Sequence, residues 1–128
     1  YGRCKFSIQF HLPITVTNNT SGFKVTYALS LINPLGWAVS QTSAGADTYV
    51  VNAAFANDVS KINWDNANHA LSGISEACSP TKFAGDQTGV SVPYNESRKL
   101  WVKFKAPTTT TVSTEQSIKL IITAQAAN

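Results

Sequence analysis

The residues that could do chemistry are few in this sequence. Its two histidines do not share a motif: strand-like alternation puts His11 on a polar face, and His69 falls in an asparagine-rich turn. There is no Gly-x-Ser-x-Gly or His-Glu-x-x-His motif and no glycine-rich phosphate loop. The seven acidic residues are scattered through predicted turns, and Asp58 and Asp65 flank a predicted strand rather than forming an acid/base pair. We therefore expect no enzyme, no metal site and no cofactor.

The two cysteines, Cys4 and Cys78, are too few and too far apart to form a metal site. They leave two interpretations open, one disulfide bond or two free buried thiols. We favour the disulfide, which on the chain-entropy model stabilises the fold by about 4 kcal/mol because it closes a long loop. A disulfide predicts a periplasmic or extracellular protein.

A run of basic residues around a tryptophan is the strongest candidate for a binding surface. Alternating residues of this run, Leu100, Val102 and Phe104, are predicted to point inward. The candidate ligand-binding patch projects outward and comprises Arg98, Lys99, Trp101, Lys103 and Lys105. An exposed tryptophan among cations suits docking of an acidic partner through charge attraction and cation–π contact. The alternative interpretation is edge protection, since lysines on an edge strand prevent aggregation.

The composition favours a fold built from strands. Charged residues make up only 13% of the 128 residues, against 43% hydrophobic residues, so Thr, Ser and Asn provide much of the polar surface. Seven or eight short alternating segments are separated by turn signals, among them 5–12, 23–31 and 48–55. A further strand is predicted at 62–64 and one helical turn at 66–71. The sequence therefore predicts an all-β, immunoglobulin-like β-sandwich, with a small barrel as the alternative.

The C-terminal part of the chain forms a second candidate site. After Pro107, the run Thr108–Thr111 predicts a linker or a sharp crossover, and an apolar stripe follows it. The stripe consists of Ile118, Leu120, Ile122 and Ala124. It is either an ordinary core strand or a strand of the kind that a neighbouring subunit adds to a sheet edge. We accordingly divide the domain into a body at 1–107, a linker at 108–111 and a candidate donor strand at 112–128.

This pattern resembles the pilins and adhesins of the bacterial chaperone–usher pathway, and more narrowly the Dr and aggregative adherence fimbriae group. Subunits of that group are incomplete immunoglobulin-like domains with one disulfide, and each receives an N-terminal donor strand from the next subunit. The donor strand typically carries a Lys-Leu-x-x-Thr core just ahead of the first cysteine. Here that pattern is matched by Lys119-Leu120-Ile121-Ile122-Thr123, but at the C-terminal end. A donor strand moved behind the threonine run would let the chain complete itself and stay monomeric.

The resemblance implies a polymerised fimbria on the bacterial cell surface, exported through the periplasm. The implied partners are neighbouring pilin subunits, a periplasmic chaperone, an outer-membrane usher and a host extracellular-matrix or cell-surface glycoprotein. Biofilm formation would follow from a cationic, adhesive surface. Nucleic acid is disfavoured as a partner because the expected disulfide places the protein outside the cytoplasm. The alternative function is a secreted carbohydrate-binding module with Trp37, Trp64 or Trp101 as the sugar platform.

Overall fold

The computed structural model describes residues 13–127. In this part of the chain seven strands form two sheets, and no α-helix is present. The strands are β1 (Ile14–Thr17), β2 (Val25–Ile32), β3 (Ala38–Val39), β4 (Thr48–Phe55), β5 (Glu76–Ala77), β6 (Ser97–Lys105) and β7 (Lys119–Ala126). Two 3-10 turns, Val59–Lys61 and Ala67–His69, lie between β4 and β5. The prediction of an all-β chain is confirmed, and none of the described segments is a helix with the length and apolar character needed to span a membrane.

The first sheet has the strand order β1-β6-β4-β3, and the second has the order β5-β2-β7. Strand β6 lies between β1 and β4 and is antiparallel to both, with Leu100 paired with Ile14 on one side and Phe55 on the other. Strand β3 runs parallel to β4. In the second sheet, β2 pairs antiparallel with both of its neighbours.

One hydrophobic core lies between the two sheets. Because successive side chains of a strand point to opposite faces, alternate residues of each long strand enter this core. The core-forming residues of the three central strands are Val25, Tyr27, Leu29 and Leu31 of β2, Tyr49, Val51, Ala53 and Phe55 of β4, and Leu100 and Phe104 of β6. These are inward-facing residues that the alternation predicts. Two sheets packed in this way are consistent with a β-sandwich.

The segment after β4 differs from the prediction of a strand at 62–64, because the chain forms the two 3-10 turns in this region instead. The carboxylate of Asp58 accepts a hydrogen bond from the main-chain nitrogen of Ser60 at 3.0 Å and caps the first turn. Such local side-chain to backbone bonds compete with strand pairing. The predicted helical turn at 66–71 is confirmed as the second 3-10 turn.

The N-terminal predictions, namely the strand at 5–12, His11 and Cys4, lie outside the described residues. Cys78 is buried in the core and has no disulfide partner among residues 13–127. The Cys4–Cys78 bridge therefore stays a prediction. As long as Cys78 is a thiol, burial raises its pKa to about 12, so the sulfur stays protonated and unreactive at neutral pH.

Candidate functional site

The predicted basic patch is divided between the two faces of β6. Lys99, Lys103 and Lys105 alternate along the outer face of the sheet, with Lys99 and Lys105 exposed and Lys103 half-buried. Arg98 belongs to the opposite face, and its guanidinium forms an ion pair with Glu96 at 3.0 Å. The structure thus brings three of the four predicted cations to one face, which we call the lysine face (Lys99, Lys103 and Lys105).

The prediction that Trp101 is an exposed ring is wrong. Its side chain is only 8% exposed, and it packs with Ala54, Ala56 and Ile62 in a small second cluster. The indole nitrogen donates a hydrogen bond to the main-chain oxygen of Ala56 at 2.8 Å. Trp101 does point to the outer face, as the alternation predicts, but the segment that follows β4 covers it there.

Edge protection does not explain Lys99, which pairs with Thr15 of β1. It stays an alternative for Lys103 and Lys105, because among the described residues this part of β6 pairs with β4 alone. The charge of the lysine face is partly offset by an acidic neighbour, Asp58. Hydrogen bonds from Ser60 hold the pKa of the Asp58 carboxyl below its ordinary value, and the charges of Lys61 and Lys99 lower it further. The lysine face is therefore moderately, not strongly, basic.

A cleft of about 300 Å³ opens beside Lys105 on this outer face. Strand β4 and the 64–67 segment each provide part of its lining, and the end of β6, the 41–42 loop and Ala70 provide the rest. Its polar and aromatic lining includes Gln41, Asn52, Trp64, Asp65, Asn66 and Lys105. The sequence singles out Trp64 as a possible sugar platform and Lys105 as part of the basic patch, but it does not indicate that both line the same cleft. The one local signal was Asn52, a polar residue within the apolar run of β4.

Trp64 is the accessible member of the three tryptophans considered as sugar platforms. It is half-buried, and its ring meets the buried His69 ring edge-on, with centroids 6.5 Å apart and planes at 77°. Trp37 is core: its ring packs against Tyr49, and its indole nitrogen donates to the hydroxyl of Thr110 at 3.0 Å. Trp101 is core as well, so Trp64 alone of the three can offer ring surface to a ligand.

Strand β7 carries the predicted donor stripe at the edge of the second sheet. Among the described residues it pairs with β2 only, and Leu120 lies opposite Leu31 while Ile122 lies opposite Leu29. Leu120 and Ile122, together with Ile118 just before the strand, are partly buried against the core. Ala124 is exposed, so its predicted place in the buried stripe is wrong.

The segment Thr108–Thr111 is part of a crossover from β6 in the first sheet to β7 in the second, one of the two forms predicted for it, and hydrogen bonds hold it to Asp47. The main-chain nitrogen of Asp47 donates to the oxygen of Thr109 at 2.9 Å. In return, the Asp47 carboxylate accepts hydrogen bonds from the nitrogen and the hydroxyl of Thr111, at 3.0 and 2.7 Å. Hydrogen bonds from Thr110 and Thr111 lower the pKa of Asp47 below its ordinary value. The crossover is thus anchored at the loop before β4.

Comparison of this chain with protein-family models, with curated proteins and with solved structures finds no match. Between residues 13 and 127, no group of three or more His, Cys, Asp or Glu side chains is arranged to hold a metal ion. The functional candidates are therefore the lysine face, the cleft beside Lys105 and the edge strand β7.

Proposed function

We propose that this chain is a structural and adhesive subunit of a bacterial surface fimbria that polymerises by donor-strand exchange. In this proposal β7 takes the place of the strand that a neighbouring subunit donates in the fibre. The observation that carries the proposal is the position of β7: it is an eight-residue edge strand, paired with β2 alone among the described residues and reached through a stretch without strand at 106–118. Long edge strands are natural sites for exchange between chains.

The side chains of β7 support this role. A donated strand gains affinity from main-chain hydrogen bonds and specificity from alternate side chains that enter pockets. Here eight residues of β7 pair in register with β2, from Lys119 opposite Ile32 to Ala126 opposite Val25. Leu120 and Ile122 reach the core at alternate positions, so the strand combines both contributions.

The remainder of the proposal follows from the same assembly. The body at 1–107 is an incomplete immunoglobulin-like sandwich, exported through the periplasm with the help of a chaperone and an outer-membrane usher. Its fibre partners are other pilin subunits. The lysine face is the side that attaches to host extracellular-matrix or cell-surface glycoproteins, since three lysines on one sheet face attract acidic groups at a range set by ionic strength.

The donor-strand role is tested with a chain that ends at residue 111 and a synthetic peptide of residues 112–128. Alone, the shortened chain is expected to aggregate or stay unfolded, because it lacks β7, which pairs with β2 over the whole length of β2. Refolding with the peptide is expected to restore a soluble, cooperatively unfolding complex. A control peptide with Leu120→Ser and Ile122→Ser should not restore it, because it buries little apolar area. Cooperative folding of the shortened chain alone, or failure of the natural peptide, contradicts the proposal.

A further inference from the structure

We infer that the cleft beside Lys105 is a saccharide site, which binds one or two rings of a neutral sugar against Trp64. This inference goes beyond the proposed fibre assembly and does not depend on strand exchange. The cleft volume of about 300 Å³ lies at the lower end of the range for small-molecule sites, which suits a ligand of this size.

Asn52 is the first reason to expect a polar ligand. Its side chain is only 8% exposed, yet no residue in the described part of the chain forms a hydrogen bond with the side-chain amide. Its neighbours on the same face of β4, Val50 and Ala54, are apolar and buried. The Asn52 amide carries two donor hydrogens and an acceptor oxygen, and neither its nitrogen nor its oxygen is among the fully buried, unpaired polar atoms of residues 13–127, so both are accessible from the cleft. The hydroxyl groups of a sugar can pair with both.

Trp64 supplies the apolar part of the site. Part of this side chain packs against the cluster that contains Ile62 and Trp101, and part of it lines the cleft. The edge contact with His69 restricts the ring further. A pyranose has a face of C–H groups that can lie on an aromatic ring while its hydroxyls point sideways to polar neighbours. A tryptophan held in place offers a large contact area with little loss of side-chain entropy.

The charges in the cleft favour a neutral ligand over an acidic one. The lining includes one carboxylate, Asp65, and one ammonium, Lys105, and both side chains are exposed and free of ion pairs with the described residues. A carboxylate can accept hydrogen bonds from two sugar hydroxyls, and an ammonium can donate to others. The attraction of Lys105 for a sialic or uronic acid is offset by the repulsion of Asp65, so an acidic sugar gains no net charge attraction here and loses hydration of its own charge. The uncharged amide of Gln41, on the 41–42 loop, can form further hydrogen bonds with the hydroxyls of a sugar.

The inference is tested with the full 128-residue chain on an array of neutral oligosaccharides and their sialylated and sulfated counterparts. We expect binding to neutral glycans, with the affinity then measured by titration of the free oligosaccharide that binds best. Trp64→Ala and Asp65→Ala should each weaken that affinity by about tenfold or more, since each removes a direct contact. Asp65 is exposed, so its variant keeps the test valid even if Trp64→Ala disturbs folding.

Two matched variants serve as controls. Tyr94→Ala removes an exposed aromatic ring, and Glu115→Ala removes an exposed carboxylate, both outside the cleft, so binding should not change. The inference is overturned if no neutral glycan binds, if Asp65→Ala binds as tightly as the parent chain, or if only sialylated or sulfated glycans bind. None of these outcomes bears on strand exchange, which is measured by peptide rescue of the shortened chain.

Discussion

The indole nitrogen of Trp101 lies 2.8 Å from the main-chain oxygen of Ala56 and donates a hydrogen bond to it. Ala56 directly follows β4, whereas Trp101 lies in β6, so this bond fastens the departing chain to the outer face of the neighbouring strand. Both residues are buried. The sequence predicts that the Trp101 ring binds a ligand, whereas in the structure the ring is buried and holds two segments of the fold together.

Replacing Trp101 with Phe is expected to lower the free energy of unfolding by about 1–3 kcal/mol, because the buried oxygen of Ala56 loses its donor. Urea denaturation measures this loss. Trp64→Phe is the matched control, since no described residue accepts a hydrogen bond from its indole nitrogen, and it should cost less. Equal losses in the two variants would contradict the structural role of the Trp101 bond.

The buried faces of the long strands were predictable, whereas the neighbours of each strand were not. A two-residue period is a local property, so the sequence alone shows that Leu29 and Phe55 face the core. Strand order and register depend on contacts between distant segments. For this reason the sequence could not show which lysines of β6 lie at a sheet edge. The structure pairs Lys99 with Thr15 of β1, whereas Lys103 and Lys105 pair with β4 alone among the described residues.

The candidate site was predictable only in part. Alternation places Trp101 on the outer face, but it cannot show that the segment after β4 covers that face. Trp64 and Lys105 stand on different elements far apart in the sequence, so their meeting in one cleft depends on tertiary packing. Ala124 lies opposite the core residue Tyr27, yet it is exposed like the rest of the C-terminal half of β7.

The double variant Lys99→Ala/Lys103→Ala is expected to weaken adhesion to host matrix glycoproteins and to reduce its dependence on salt, because two cations leave the lysine face. Lys105 is left intact because it lines the cleft. Binding to immobilised glycoproteins at low and raised ionic strength measures the effect. Lys24→Ala/Lys119→Ala, which changes the net charge equally at other exposed positions, is the control. Equal weakening in the two pairs would contradict a localised adhesive face.

Ile122→Ala is expected to lower the free energy of unfolding by about 1–2 kcal/mol, because it removes partly buried apolar area between β7 and the core. Leu29→Ala, at its fully buried partner in β2, should cost more, about 2–5 kcal/mol. Ala124→Ser, on the same strand but exposed, should have almost no effect. Thermal and urea unfolding of the three variants gives the order. If Ile122→Ala lowers the free energy of unfolding as little as Ala124→Ser does, the side chain of Ile122 does not pack against the core as described.

Asp47→Gly is expected to increase exchange of β7 between chains, because it removes both hydrogen bonds that its carboxylate accepts from Thr111. Glycine avoids new strain, since Asp47 has a φ of 52°, in the left-handed region. The measurement is the fraction of dimer in concentrated samples by light scattering. Asn95→Gly, at an exposed position with a φ of 69°, should stay monomeric. An Asp47→Gly chain that also stays monomeric would contradict the view that this anchor restrains the strand.

Stability is expected to fall as the pH drops below about 6.5, the ordinary pKa of histidine, because of His69. His69 is 1% exposed, and no described residue bonds its Nδ1 atom. Burial lowers its pKa in the folded chain, and the charge of Lys82 lowers it further. Between the two pKa values the unfolded chain is protonated at His69 and the folded chain is not. The contribution of neutral His69 to stability is therefore fully present above the pKa of the unfolded chain, and it is lost as the pH falls towards the pKa of the folded chain.

Urea midpoints at about pH 7.5 and about pH 5 test this dependence, since the lowered carboxyl pKa values of Asp47 and Asp58 act at more acidic pH. His69→Gln should flatten the difference between the two midpoints, because its side chain does not titrate. His11→Gln, the other histidine, should retain the difference if His69 is its source. If the His69→Gln chain keeps the full difference between the two urea midpoints, another group causes the loss of stability at low pH. His69 would then make no contribution to the pH dependence of folding.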